Sequence, residues 1–111
     1  MTDRELLELA AKAAGYDFNR IRYSKDDGIL VWEPPTNYES RAWNPLNDDG
    51  DALRLAVKCG LSLERTSNRC WAYKAGMAIN GVCEEFYVDD PLAETRRAIV
   101  RAAAELGRTM P

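Results

Sequence analysis

Asn80-Gly81 separates two arms that each carry apolar side chains on both faces, and this constrains the fold more than any other feature of the chain. Both turn positions tolerate positive φ, so the pair predicts a two-residue hairpin loop. On the first arm, residues 69–79, Trp71 and Tyr73 face one way and Cys70 and Ala72 the other; residues 82–88 return. Apolar residues on both faces need cover on both sides, which points to a central hairpin under helices rather than a sheet open to water.

The flanking segments supply those helices. Thr2 and Glu5 form a T-x-x-E capping box for a helix over 2–14, with Leu6, Leu9, Ala10 and Ala13 on its apolar face and Gly15 as its stop. A second helix spans 49–59, capped by Asp48 or Asp49, with Asp51 in the first turn, Lys58 in the last and Gly60 after it. Its expected buried stripe is Leu53, Ala56 and Val57. A third begins at Asp90-Pro91, buries Leu92, Ile99, Ala103 and Leu106, and ends at Gly107. Between the first two helices, Ile21 and Tyr23 alternate with polar residues, Lys25-Asp26-Asp27-Gly28 reads as a turn, and Ile29–Trp32 has strand composition. Pro34-Pro35 breaks the pattern, leaving 33–47 as an irregular excursion. Leu61 and Leu63 alternate with Ser62 and Glu64 in a further strand, and Gly76 suggests a bulge. The expected order is α-β-β-α-β-β-β-α: an α/β (α+β) chain, a three-layer α-β-α sandwich on a small, mainly antiparallel sheet, with a two-layer α+β sandwich as the alternative. At 111 residues this is one domain, large enough for a core without metal or disulfide support.

Residues 43–58, Trp43-Asn44-Pro45-Leu46-Asn47-Asp48-Asp49-Gly50-Asp51-Ala52-Leu53-Arg54-Leu55-Ala56-Val57-Lys58, resemble a pattern in small phage and prophage proteins, the phage ABA-sandwich domain family. Ala13-Ala14-Gly15 and Asp89-Asp90-Pro91 sit where that family places the end of its leading helix and the start of its closing one. The resemblance covers most of the chain, with W-N-P-L-x-D-D-G-D-A-L its distinctive part, and Cys59 stands where an apolar residue is expected. It implies helices flanking a sheet and a phage or prophage setting, and it carries no activity.

The same run admits two readings. Trp43 beside a loop rich in aspartate offers contact area and charge to a partner, with Tyr38, Asn44, Asp48 and Asp49 as the accompanying binding residues. Alternatively, Trp43 packs the loop inward, Pro45 stiffens it and the aspartates cap the helix. A second candidate group is basic: Arg20 and Arg22 on the first hairpin, which would suit a small anionic ligand if Lys74 converges on them. Arg97, Arg101 and Arg108 read as a solvated helix face.

Chemistry is narrowed by what the chain lacks. It contains no histidine, which removes Ser-His-Asp and Cys-His arrangements, histidine zinc sites and the usual near-neutral general base. Cys59, Cys70 and Cys83 are odd in number, have no C-x-x-C spacing, and read as buried thiols of a reducing compartment. Asn47-Asp48-Asp49-Gly50-Asp51 fails as a calcium loop because its glycine comes too early and Lys58 stands where glutamate is required. Adjacent Glu84 and Glu85 would face opposite sides of a strand, and no phosphate-cradling glycine motif occurs. The net charge of −3 does not favour general nucleic-acid binding, and no run is long enough to cross a bilayer. The expectation is a non-enzymatic cytoplasmic protein without cofactor or metal. It binds a macromolecule, either a host protein such as a defence enzyme or itself; the alternative is a small nucleotide-type ligand.

Overall fold

The computed structural model describes residues 1–23, 28–32, 40–76, 83–86 and 90–111. The chain runs α1 (Asp3–Ala13), a 3-10 turn (Phe18–Arg20), β1 (Arg22–Tyr23), β2 (Ile29–Val31), β3 (Arg41–Trp43), α2 (Asp49–Cys59), β4 (Ser62–Arg65), β5 (Arg69–Tyr73), β6 (Cys83–Phe86) and α3 (Pro91–Thr109). Among the described residues, three helices and two small antiparallel sheets, β1-β2-β3 and β4-β5-β6, make a mixed α+β sandwich. The class and the antiparallel pairing are those expected. Two details differ: the strands divide between two sheets, and residues 41–43 of the expected excursion form a strand. The Asn80-Gly81 turn lies outside the described residues, whereas the β5–β6 pairing from Arg69↔Phe86 to Ala72↔Cys83 lies within them.

All three helix starts follow their cap chemistry. The Glu5 amide donates to Thr2 Oγ1 at 3.2 Å, the Asp51 amide to Asp48 Oδ2 at 2.8 Å, and the Leu92 amide to Asp90 Oδ1 at 3.0 Å. Each bond satisfies an N–H that a first helical turn otherwise leaves without a partner. Gly60 ends α2 in the left-handed conformation, φ 67° and ψ 37°, which costs glycine little.

The larger core gathers Leu7, Ala10 and Ala11 of α1, Ile29 and Val31 of β2, Trp43 of β3, Leu55 of α2, and Ile99, Val100 and Ala103 of α3. A smaller one joins Ala98 and Ala102 of α3 to Cys70 and Ala72 of β5. Helix α3 thus serves both, and its alanine-rich sequence keeps its radius small where it is surrounded. Gly107 was expected to end this helix. Instead it lies two residues inside it, buried, where an added Cβ would fall 2.0 Å from the Leu9 carbonyl oxygen. The missing side chain is what lets α1 and α3 cross in contact.

The expected faces of α1 and α2 are rotated, and that of α3 is shortened at its start. In α1 the buried positions are Leu7, Ala10 and Ala11, with Leu6, Leu9 and Ala13 half-buried. In α2 they are Asp51, Ala52, Leu55, Ala56 and Cys59, so Leu53 and Val57 point outward at 63% and 73% exposure. In α3, Ile99 and Ala103 are buried as expected, but Leu92 is 58% exposed. Helix α2 carries apolar residues at helical spacing on two sides (52, 55, 56, 59 and 53, 57), and periodicity alone does not choose between them.

Candidate functional site

The Trp43–Asp51 run buries Trp43, Pro45 and Asp51 and leaves Asn47, Asp48 and Asp49 exposed. Trp43 pairs with Ile29 across β2 and β3, which places its indole on the core side, 3% exposed. There it meets Tyr16 edge-on, with ring centroids 5.4 Å apart and an interplanar angle of 63°. Arg41, two residues earlier on the same strand, shares that face. Its guanidinium reaches Asp51 at 3.0 Å.

Asp51 is the hub. Its side chain accepts from Arg41 at 3.0 Å, Arg54 at 2.8 Å and the Asn44 amide at 3.0 Å, and the residue is 7% exposed. In a capping box the third helical residue reaches back to the cap amide. Here the Asp48 amide already donates to the Asn44 carbonyl at 2.9 Å, so Asp51 reaches past it to Asn44. The Asn44 side chain accepts from the Leu46 amide at 3.1 Å, closing a turn whose Pro45 is fully buried. From the other side, Arg96 of α3 donates to the Leu46 carbonyl at 2.8 Å and pairs with Asp49 at 2.6 Å. Hydrogen bonding to Asp51 raises the Arg54 pKa, which keeps that guanidinium cationic.

Of the expected contact residues, Trp43, Asn44, Asp48 and Asp49 are therefore brought together as a turn and helix start. Tyr38 lies outside the described residues. Arg20 stacks over Trp32 at 4.9 Å, and Arg22 donates to the Ile21 carbonyl at 3.0 Å. Lys74 sits beside Cys59 and Gly60 at the C-terminal end of α2. Each of the three basic residues is thus engaged in different surroundings. Burial pushes the Cys59 thiol up, against the opposing influence of Lys74 and Lys58, which suits a packed thiol and not a nucleophile.

Sequence reasoning missed the outward face. Leu53 of α2, Leu63 of β4 and Leu92 of α3 surround a shallow apolar hollow of about 280 Å³ with Ala52 and Ile99 beneath it. Leu53, Leu63 and Leu92 are 63%, 39% and 58% exposed, and Val57 continues the patch one turn along α2. Asp49 and Arg96, paired with each other, stand at its rim. The available signal was the second apolar stripe of α2. A separate polar hollow of about 370 Å³ lies at the start of α1, lined by Thr2, Asp3, Arg4, Asn44, Leu46 and Asn47.

Among the described residues, no three of Cys, Asp and Glu gather as a metal-holding group, and no helix is long and apolar enough to cross a membrane. No protein-family model, curated protein or solved structure matches the chain.

Proposed function

We propose that this protein is a non-catalytic binding module that docks on another protein through the apolar face of α2, β4 and α3. The observation that carries the reading is the exposure of Leu53, Leu63 and Leu92 around one hollow, with Val57 beside it, while α2 and α3 bury their opposite faces. Large apolar side chains grouped at a surface lose favourable free energy to water until a partner covers them. The conspicuous polar residues, by contrast, are occupied in holding the fold. The phage or prophage setting rests on the resemblance of residues 43–53 to the phage ABA-sandwich pattern, and action in the cytoplasm on three cysteines without C-x-x-C spacing.

The test is affinity capture with wild type and with a Leu53→Asp, Leu92→Asp double variant, using bacterial lysate and differently tagged copies of the protein itself. A specific protein retained by wild type and lost by the variant is expected; identical retention by both contradicts the reading. A second reading, binding of a small polar ligand, is favoured by the hollow at the start of α1, where Arg4, Asn44 and Asn47 line one space. A ligand held there raises the melting temperature by mass action. A thermal-shift panel of nucleotides and carboxylates that moves wild type but not Arg4→Ala supports it, and a flat panel retires it.

A further inference from the structure

We infer that Arg41, Arg54 and the Tyr16 hydroxyl form a site for a phosphate group, either free or carried by a small molecule. The site lies apart from the Leu53 face and from the hollow at the start of α1, and it stands or falls independently of both. Arg41 and Arg54 each bring one Nη2 to the same oxygen of Asp51, at 3.0 and 2.8 Å. That buried carboxylate therefore holds two guanidiniums as close neighbours. Its other oxygen is taken by the Asn44 amide at 3.0 Å. Asp48, 3.9 Å from Arg54, accepts from the Asp51 amide. Among the described residues, neither guanidinium makes a further hydrogen bond. A guanidinium carries five N–H donors, so most of both forks is left open. The two side chains are 44% and 53% exposed, which leaves those donors accessible from outside.

Tyr16 is the second, independent observation. It is only 6% exposed, and its hydroxyl makes no hydrogen bond among the described residues. The polar tip of a buried tyrosine normally finds a partner, so this one is open to a ligand. The ring is fixed by Trp43, which meets it edge-on, and by Lys58, whose Nζ lies 4.4 Å from its centroid. Trp43 stands two residues from Arg41 on the same face of β3, and Lys58 stands one turn beyond Arg54 on α2. Tyr16 is thereby set between the two elements that carry the arginines, within electrostatic reach of Arg54.

The donor set selects the ligand. A carboxylate presents two oxygens in one plane and is matched by a single arginine fork. A phosphate presents at least three acceptor oxygens around one centre and can take donors arriving from different elements. Here the donors come from β3, α2 and the residue after Gly15. Asp51 has already brought the two like-charged guanidiniums together, so a phosphate meets a site ordered in advance.

The test is titration of the isotope-labelled full chain with inorganic phosphate, glycerol phosphate and acetate at constant ionic strength, followed by NMR. Saturable shifts of the Arg41 and Arg54 side-chain signals are expected with both phosphates and not with acetate. Arg41→Gln and Arg54→Gln should each weaken phosphate binding at least about tenfold, and Tyr16→Phe at least about threefold. Arg4→Ala should bind as wild type does. Tyr16→Phe removes no bond made within the protein, so without phosphate its melting temperature should equal or exceed that of wild type. With phosphate its rise should be smaller. Tighter binding of glycerol phosphate identifies a carried group as the ligand, and equal or weaker binding the free ion. The inference is overturned by an absence of saturation, by acetate binding as tightly, or by wild-type affinity in any of the three site variants. Loss of binding in Arg4→Ala overturns it too, as does a lower melting temperature of Tyr16→Phe without phosphate.

Discussion

The Trp43–Asp51 run and the outer side of α2 lie next to each other in the chain and have opposite fates. The first holds a tryptophan, two asparagines and three aspartates, the residue types from which recognition surfaces are usually built, yet it buries Trp43 on Tyr16 and Asp51 against Arg41 and Arg54, and commits the exposed Asp48 and Asp49 to the helix cap and to Arg96. The second holds plain leucine and valine, the residue types of a core, and leaves them in water. The difference teaches that conspicuous chemistry marks the places where a short loop must satisfy its own backbone. A surplus of ordinary apolar residues marks the surface available to a partner.

The comparison breaks if Trp43 proves dispensable to folding. Trp43→Ala should cost about 3–5 kcal/mol, the range for deleting a buried aromatic side chain, read by equilibrium urea unfolding. A contact residue would cost a small fraction of that. Gly107→Ala should cost about 3 kcal/mol or more, because its Cβ meets backbone and not a flexible side chain, so α1 and α3 must separate. Asp51→Ala should cost about 2–3 kcal/mol, since it removes a charged acceptor from the Asn44 amide and from two arginines. Asp51→Asn, which keeps the shape, should recover part of this.

A smaller effect lies in alkaline pH. Burial raises the folded Cys59 thiol above its ordinary value of 9.0, so its contribution is complete below that value and declines as pH rises past it, when the unfolded chain ionises first. Tyr23 and Tyr73, raised by their hydrogen bonds to Glu8 and Glu64, act in the same direction at higher pH. Cys59→Ser should therefore flatten only the first part of the alkaline decline in unfolding free energy. The smallest change in stability belongs to the outward face: Leu53→Asp should stay within about 0.5 kcal/mol of wild type while weakening capture of a partner protein.

Local chemistry was legible in the sequence. The Thr2–Glu5 cap, the Asp48 cap, the Asp90-Pro91 start and the bounds of α2 at 49 and 59 all depend on residues within a few positions of one another. What was not legible depends on distant partners. Strand β3 is three residues long and takes its conformation from pairing with β2, which no local pattern announces. Gly107 reads as a helix stop until Leu9 of another helix is set against it. Asp51 reads as a dipole-favoured first-turn residue; its role as a hub comes from Arg41, ten positions earlier. The face of α2 that looks inward is decided by α3 and the neighbouring strands, so the Leu53–Val57 stripe was assigned to the core when it belongs to the surface.

Residue-level hydroxyl-radical labelling of the intact protein, read by mass spectrometry at low and high concentration, measures both regions at once. Trp43 should stay unlabelled at both concentrations, while Leu53, Leu63 and Leu92 should label readily in dilute solution. Labelling of Trp43 at a rate matching that of Leu53 in dilute solution would contradict the burial of Trp43 and the assignment of binding to the apolar face.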